Sequence, residues 1–247
     1  MTSLADPKRR LKLLLVSDLD GQILRVTTLC EQIVCSHDSD VDAVLVCGGL
    51  VSESAPGAYR TGESKAAAEG DMMALISRLE TIVCRVLYIP SSNDPPTTRL
   101  ASPNLTQYSI NCHSRTEQLT DGVGVMGENR YTKLLGDGKD PAENWELLLV
   151  LRDTSAVTAL PAPTFAAVVL TLSMQPIDDA SLFDYHHLEL IGGPHQSTAS
   201  KTPVIFPGSL RQGHFTTLEL VKSDTDDSWS IHAVHLHDLE FEPEEED

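Results

Sequence analysis

Apolar runs, each closed by a polar or glycine-rich loop, organise the first third of this chain. Leu11 to Ser17 is the first such run, Ala43 to Cys47 the second, and Ile82 to Ile89, stopped by Pro90, the third. Runs of this length without alternation predict strands buried on both faces. Between the first two, Ile23, Val26, Cys30, Ile33 and Val34 recur at helical spacing. Ser52 to Ser64 is rich in Gly, Pro and Ser and reads as a loop, and a helix is predicted over Lys65–Leu79. The order β-α-β-α-β implies a parallel sheet covered by helices.

The middle of the chain is less regular. Gln107 to Cys112 and Gly122 to Met126 suggest short strands, paired as a hairpin. Asp140-Pro141-Ala142-Glu143 has the form of a helix start, and the helix is expected to continue through Asn144 to Leu151. It combines a capping Asp, Pro at the first position and Glu three residues on. Phe165 to Leu172, Leu188 to Ile191, Val204 to Phe206, Phe215 to Val221 and Trp229 to Leu236 predict a strand-rich C-terminal half. No linker rich in Pro, Gly or Ser divides the 247 residues, so one domain over residues 11–238 is expected, with an arm at 1–10 and an acidic tail at 239–247.

Charge narrows the partners. A formal net charge of −18 argues against nucleic acid, which needs clustered Lys and Arg, and Lys8-Arg9-Arg10 is too short a cluster to change that. The acidic tail reads as a solubilising end. Cys30, Cys35, Cys47, Cys84 and Cys112 are odd in number and sit inside apolar segments, which fits reduced thiols in a cytoplasmic protein. The early run Leu11 to Val16 is too short for a membrane span.

Candidate chemistry lies at the ends of the predicted strands, where open α/β sheets carry their functional groups. These ends are Ser17-Asp18-Leu19-Asp20-Gly21, Cys47-Gly48-Gly49-Leu50, Pro90-Ser91-Ser92-Asn93-Asp94, Thr171-Leu172-Ser173-Met174 and Gly192-Gly193-Pro194-His195. Further along stands Phe206-Pro207-Gly208-Ser209-Leu210-Arg211-Gln212-Gly213-His214-Phe215. Each piece has a simpler role. Asp18 and Asp20 can cap the helix that follows, Asn93-Asp94-Pro95-Pro96 is a turn former, and Gly48-Gly49 makes a tight turn. Their shared order is what those roles leave unexplained.

The Pro-Gly-Ser-Leu-Arg stretch resembles the Asn-Pro-Gly-Ser-Leu-Arg-x-Gly signature of calcineurin-like metallophosphoesterases, and the five strand ends stand where that family carries its metal ligands. The resemblance covers residues 11 to 221. It implies an α/β fold, the calcineurin-like phosphoesterase sandwich of two mixed β-sheets flanked by helices. It also implies two divalent ions roughly 3.5–4 Å apart, joined by a bridging carboxylate, that activate a water and clamp the phosphate.

By that pattern the ligand set is incomplete. Asp18 matches the first Asp, Asp20 stands for the next ligand, normally His, and Asn93 matches the family Asn. The bridging position is Gly49, the lone-His strand end reads Leu172-Ser173-Met174, and Gly193 replaces the first His of the last motif while His195 survives. Asp94 falls where the family often has a His that assists the leaving group. Asp18, Asp20, Asn93 and His195 are therefore a vestigial metal set. No cofactor is expected, beyond at most one weakly held divalent metal, Mn, Zn or Mg.

The function implied is that of a degenerate phosphoesterase-fold protein, a pseudoenzyme acting as a protein-binding or assembly module. The alternatives are an active phosphoesterase with an atypical or single-metal site, and a phosphate-sensing protein that keeps only the cleft. His235 and His237 share one face of a predicted strand and read as an exposed edge, and His186-His187 has no partner spacing. No Gly-x-x-x-x-Gly-Lys-Ser/Thr loop or Gly-x-Ser-x-Gly elbow occurs. The Gly-rich run Asp121–Gly127 is read as not followed by a helix, which excludes a dinucleotide site.

Overall fold

The central strands each feed two cores, one on either face. In β1 (Arg10–Val16), Leu11, Leu13 and Leu15 face one core and Leu14 and Val16 the other. A strand buried on both faces is apolar over most of its length, and in β1 only Arg10 and Lys12 at its start depart from that. The structure is a computed structural model and describes residues 9–36, 40–51, 62–83, 85–91, 94, 104–141, 143–152, 168–173 and 204–239.

Two sheets result. The first joins β1 in parallel to β2 (Ala43–Cys47), then β3 (Val86–Ile89) and β4 (Ser109–Asn111). On its other side β1 pairs antiparallel with β10 (His214–Lys222), which pairs antiparallel with β11 (Trp229–Asp238). The second sheet runs in the order β5 (Thr116–Thr120), β6 (Val123–Gly127), β7 (Leu147–Arg152), β8 (Val168–Ser173) and β9 (Val204–Ile205). Its only antiparallel pair among the described residues is β5 with β6.

The sheets pack face to face through Leu13, Leu45 and Leu87 of the first and Val123, Leu147 and Leu149 of the second. Helices α1 (Ile23–Cys35) and α2 (Gly62–Leu79) cover the outer face of the first sheet with Val26, Leu29, Met72, Leu75 and Ile76. Helix α3 (Glu128–Gly136) covers the outer face of the second, where Tyr131 meets Leu148 and Val150. The expected sandwich of two mixed sheets flanked by helices is the fold observed.

Four expectations change. Residues 147–152 form β7 instead of the predicted helix. Leu147, Leu149 and Leu151 fill the inter-sheet core while Leu148 and Val150 pack beneath α3, a two-sided burial that one helical stripe does not provide. The Asp140 signature makes only a turn, in which Glu143 N–H reaches the Asp140 carbonyl at 3.4 Å. The expected hairpin of 107–112 with 122–126 is absent, since β4 joins the first sheet and β6 pairs with β5. The third strand begins only at Val86, because Ile82 belongs to the turn that ends α2, its N–H bonded to the Leu79 carbonyl.

The fourth change concerns the Gly-rich run. Helix α3 does follow it directly, placing Tyr131, Leu134 and Leu135 at helical spacing. The dinucleotide reading still fails, for a different reason. Gly124 and Gly127 lie within β6, not in a turn after a strand, and serve packing. A Cβ on Gly124 would stand 2.6 Å from the Trp145 ring, and one on Gly127 would stand 2.7 Å from the Cys112 carbonyl. Cys30, Cys47 and Cys112 are buried, burial pushes all three thiols up, and no disulfide forms among the described cysteines. The expected strand at Leu188–Ile191 lies outside the described residues.

Candidate functional site

At the carboxyl end of β1 the chain turns through a tight, left-handed path. Asp18 and Asp20 have φ of 53° and 50°, a region that Asp tolerates better than most residues. Gly48 and Gly49, at the end of β2, have φ of 84° and 66°. The two loops are laced together: the amides of Asp18, Asp20 and Gly21 donate to the carbonyls of Gly48, Gly49 and Leu50 at 3.3, 2.9 and 3.0 Å.

The Pro-Gly-Ser-Leu-Arg segment docks on this corner. Leu210 N–H donates to the Ser17 carbonyl at 2.9 Å and Arg211 N–H to the Asp18 carbonyl at 3.0 Å. The Ser17 hydroxyl in turn donates to the Gly208 carbonyl at 2.7 Å. A short 3-10 turn, Leu210–Gln212, follows, with Ser209 as its cap and Gly213 as a left-handed terminator.

This docking decides what surrounds the two carboxylates. The Ser209 hydroxyl donates to Asp18 Oδ2. Arg211 reaches both acids, with Nη1 3.3 Å from Asp20 Oδ2 and Nε 3.7 Å from Asp18 Oδ2. The side chains of Asp18 and Asp20 are 30% and 15% exposed, while that of Arg211 is 54% exposed. Neither acid caps α1, contrary to the capping role expected: the cap residue is Gln22, and no side chain caps that end. The carboxylates turn instead toward Arg211 and Ser209.

Asp94 lies at the end of β3 and is 1% exposed. Its Oδ2 accepts the Ser91 amide at 2.6 Å and its Oδ1 the Val51 amide at 3.0 Å. Burial outweighs these bonds and raises the carboxyl above its ordinary range. The side chain is thus a staple between the ends of β2 and β3, not a group presented to a substrate. Nothing in the sequence distinguishes a buried Asp from an ordinary turn former here.

On the second sheet, Arg152 ends β7 opposite Ser173 of β8. It is buried and pairs through Nε with Glu128 Oε2 at 3.2 Å, at the start of α3. Neither residue stands out in the sequence as a site residue. A charged residue closing an apolar run was the available signal.

Of the four predicted ligands, Asp18 and Asp20 come together at one corner, and Asn93 and His195 lie outside the described residues. His186 and His187 lie outside them as well. His235 and His237 share a face of β11, with ring centroids 6.3 Å apart. His237 stacks on Phe215 at 4.9 Å, with Nε2 2.8 Å from the Thr217 hydroxyl, which makes it a packing residue.

The arrangement matches known folds. TT1561 of Thermus thermophilus is similar at 14% identity and a TM-score of 0.52, over 93% of this chain and 99% of that one. The calcineurin-like phosphoesterase YfkN from Bacillus subtilis is similar at 12% identity and a TM-score of 0.50, over 94% and 92%. No family model and no curated protein matches the sequence. The chain has the calcineurin-like phosphoesterase fold. Among the described residues, no helix is long and apolar enough to cross a membrane.

A two-metal centre needs a bridging ligand and several donors around each ion. Gly49 offers no side chain at the bridging position that the resemblance implies. Among the described residues no group of three or more His, Cys, Asp or Glu comes together. The two carboxylates that do meet already accept from Arg211 and Ser209. Asn93, Gly193 and His195 lie outside the described residues, and Asp18 and Asp20 alone do not make up the two-metal group.

Proposed function

We propose that this chain is a catalytically degenerate phosphoesterase-fold protein that serves as a protein-binding or assembly module, built on one domain over residues 11–238. The observation that carries the reading is the engagement of Asp18 and Asp20 by protein donors, beside a glycine where a bridging carboxylate would be needed. Catalysis of the family type depends on open metal-binding oxygens at this corner. A binding role is favoured by two exposed apolar residues at the start of α1, Ile23 and Leu24, which are 41% and 78% exposed.

Elemental analysis of the purified protein and an aryl phosphodiester assay with added Mn²⁺ test the reading together. The expected result is substoichiometric metal and no turnover above buffer, with Asp18→Ala no different. Turnover that requires Mn²⁺ and disappears in Asp18→Ala would overturn it.

A further inference from the structure

We infer that Arg211 is the resident cation of this corner, supplied by the chain in place of a divalent metal. The inference rests on the metal-free reading above and explains how the site persists without an ion. Asp18 and Asp20 place two carboxylates at one left-handed corner, each on a backbone of positive φ. Two acids held together repel unless a positive charge stands between them. Arg211 lies 3.3 Å from Asp20 and 3.7 Å from Asp18, so one guanidinium serves both.

The backbone that carries this side chain is pinned beside Asp18. Arg211 N–H is bonded to the Asp18 carbonyl at 3.0 Å, and its neighbour Leu210 is bonded to the Ser17 carbonyl at 2.9 Å. Ser209 adds a hydroxyl donor to the Asp18 oxygen that Arg211 also approaches. An incoming Mn²⁺ would have to displace these donors and bear the repulsion of a nearby positive charge. A guanidinium stays protonated throughout the physiological range, so the charge balance here does not depend on metal supply.

The consequence is a gain of metal binding when the charge is removed. Equilibrium dialysis against Mn²⁺ and thermal melting with and without Mn²⁺ read it directly, with no need for activity. Wild type and Arg211→Lys, which keeps the cation, are expected to show no saturable binding. Arg211→Gln and Arg211→Met are expected to bind Mn²⁺ saturably, with an affinity at least about tenfold above the detection limit that wild type fails to reach, the scale of removing one nearby unit charge. Their melting temperatures should rise with Mn²⁺, as mass action requires. Adding Asp20→Asn to either neutral variant should abolish both effects.

If the neutral variants fold poorly, recovery of the native circular dichroism signal on adding Mn²⁺ supports the inference, and failure to recover counts against it. Folded neutral variants that ignore Mn²⁺, beside a metal-free wild type, would overturn the role of Arg211 and leave the degenerate-site reading standing. Stoichiometric Mn²⁺ on the wild type would sink both.

Discussion

Replacing Asp94 with Ala is expected to lower the unfolding free energy by about 3–5 kcal/mol, because two buried amides lose their acceptor together. Those donors are Ser91 N–H and Val51 N–H, at 2.6 and 3.0 Å. Asp94→Asn should cost less, about 1–3 kcal/mol, since one amide oxygen still accepts while the NH₂ faces a donor. The pH dependence has a definite sign. Burial raises the folded carboxyl above its ordinary value. The native state therefore holds this proton more tightly than the unfolded chain does. The associated stability is complete below the unfolded value of about 3.9 and is lost as pH rises through the folded one. The deficit of Asp94→Asn relative to wild type should therefore be widest in acid and narrow toward neutral pH. Urea melts of both proteins across that range measure it, and a deficit that widens with pH would contradict the assignment.

Gly208→Ala is the second large effect expected, a loss of about 2–4 kcal/mol. Gly208 has φ of 89°, which an L-residue reaches only under strain. An added Cβ would also stand 2.7 Å from His214 Cβ and 3.2 Å from the His214 carbonyl carbon. Neither atom is the free end of a side chain, so β10 or the turn must shift. Because Ser17 bonds the Gly208 carbonyl, the shift propagates to the corner that holds Asp18 and Arg211. Thermal denaturation checks the loss. Leu236→Ala in the Gly208→Ala background is a control: Leu236 Cδ1 lies 3.2 Å from the added Cβ but yields easily, so it should restore little.

The strands most legible in the sequence are those buried on both faces. β1 and β2 announce themselves as apolar runs, and the loops at their ends carry part of the family resemblance. β7 is equally apolar but follows a convincing capping signature, and there the local signal misleads. The signature forms a single turn because continuing it as a helix would strip both cores of Leu147 to Leu151. α3 is hidden by its size: among its residues only Tyr131 is fully buried, so nine residues give a weak stripe. At the site, the spacing locates Asp18 and Asp20 but does not show what faces them. Arg211 lies 191 residues away from Asp20 and meets it only through the docking of β10's leading turn on β1. Asp94 reads correctly as a turn residue, yet whether its carboxylate points to water or into the laced loops is decided by the Val51 amide, 43 residues distant.

The pairing of β1 with β10 also governs how this protein is made. Arg10 lies opposite Val221 and Leu15 opposite Thr216, so one flank of a leucine-rich strand waits for its neighbour until most of the chain has been synthesised. Until β10 emerges from the ribosome, β1 presents an open, sticky edge to whatever is nearby. Long-range pairings of this kind slow folding and leave intermediates prone to aggregation. Yield in a recombinant host should therefore respond to translation rate and to chaperone supply more than the stability of the finished fold would suggest.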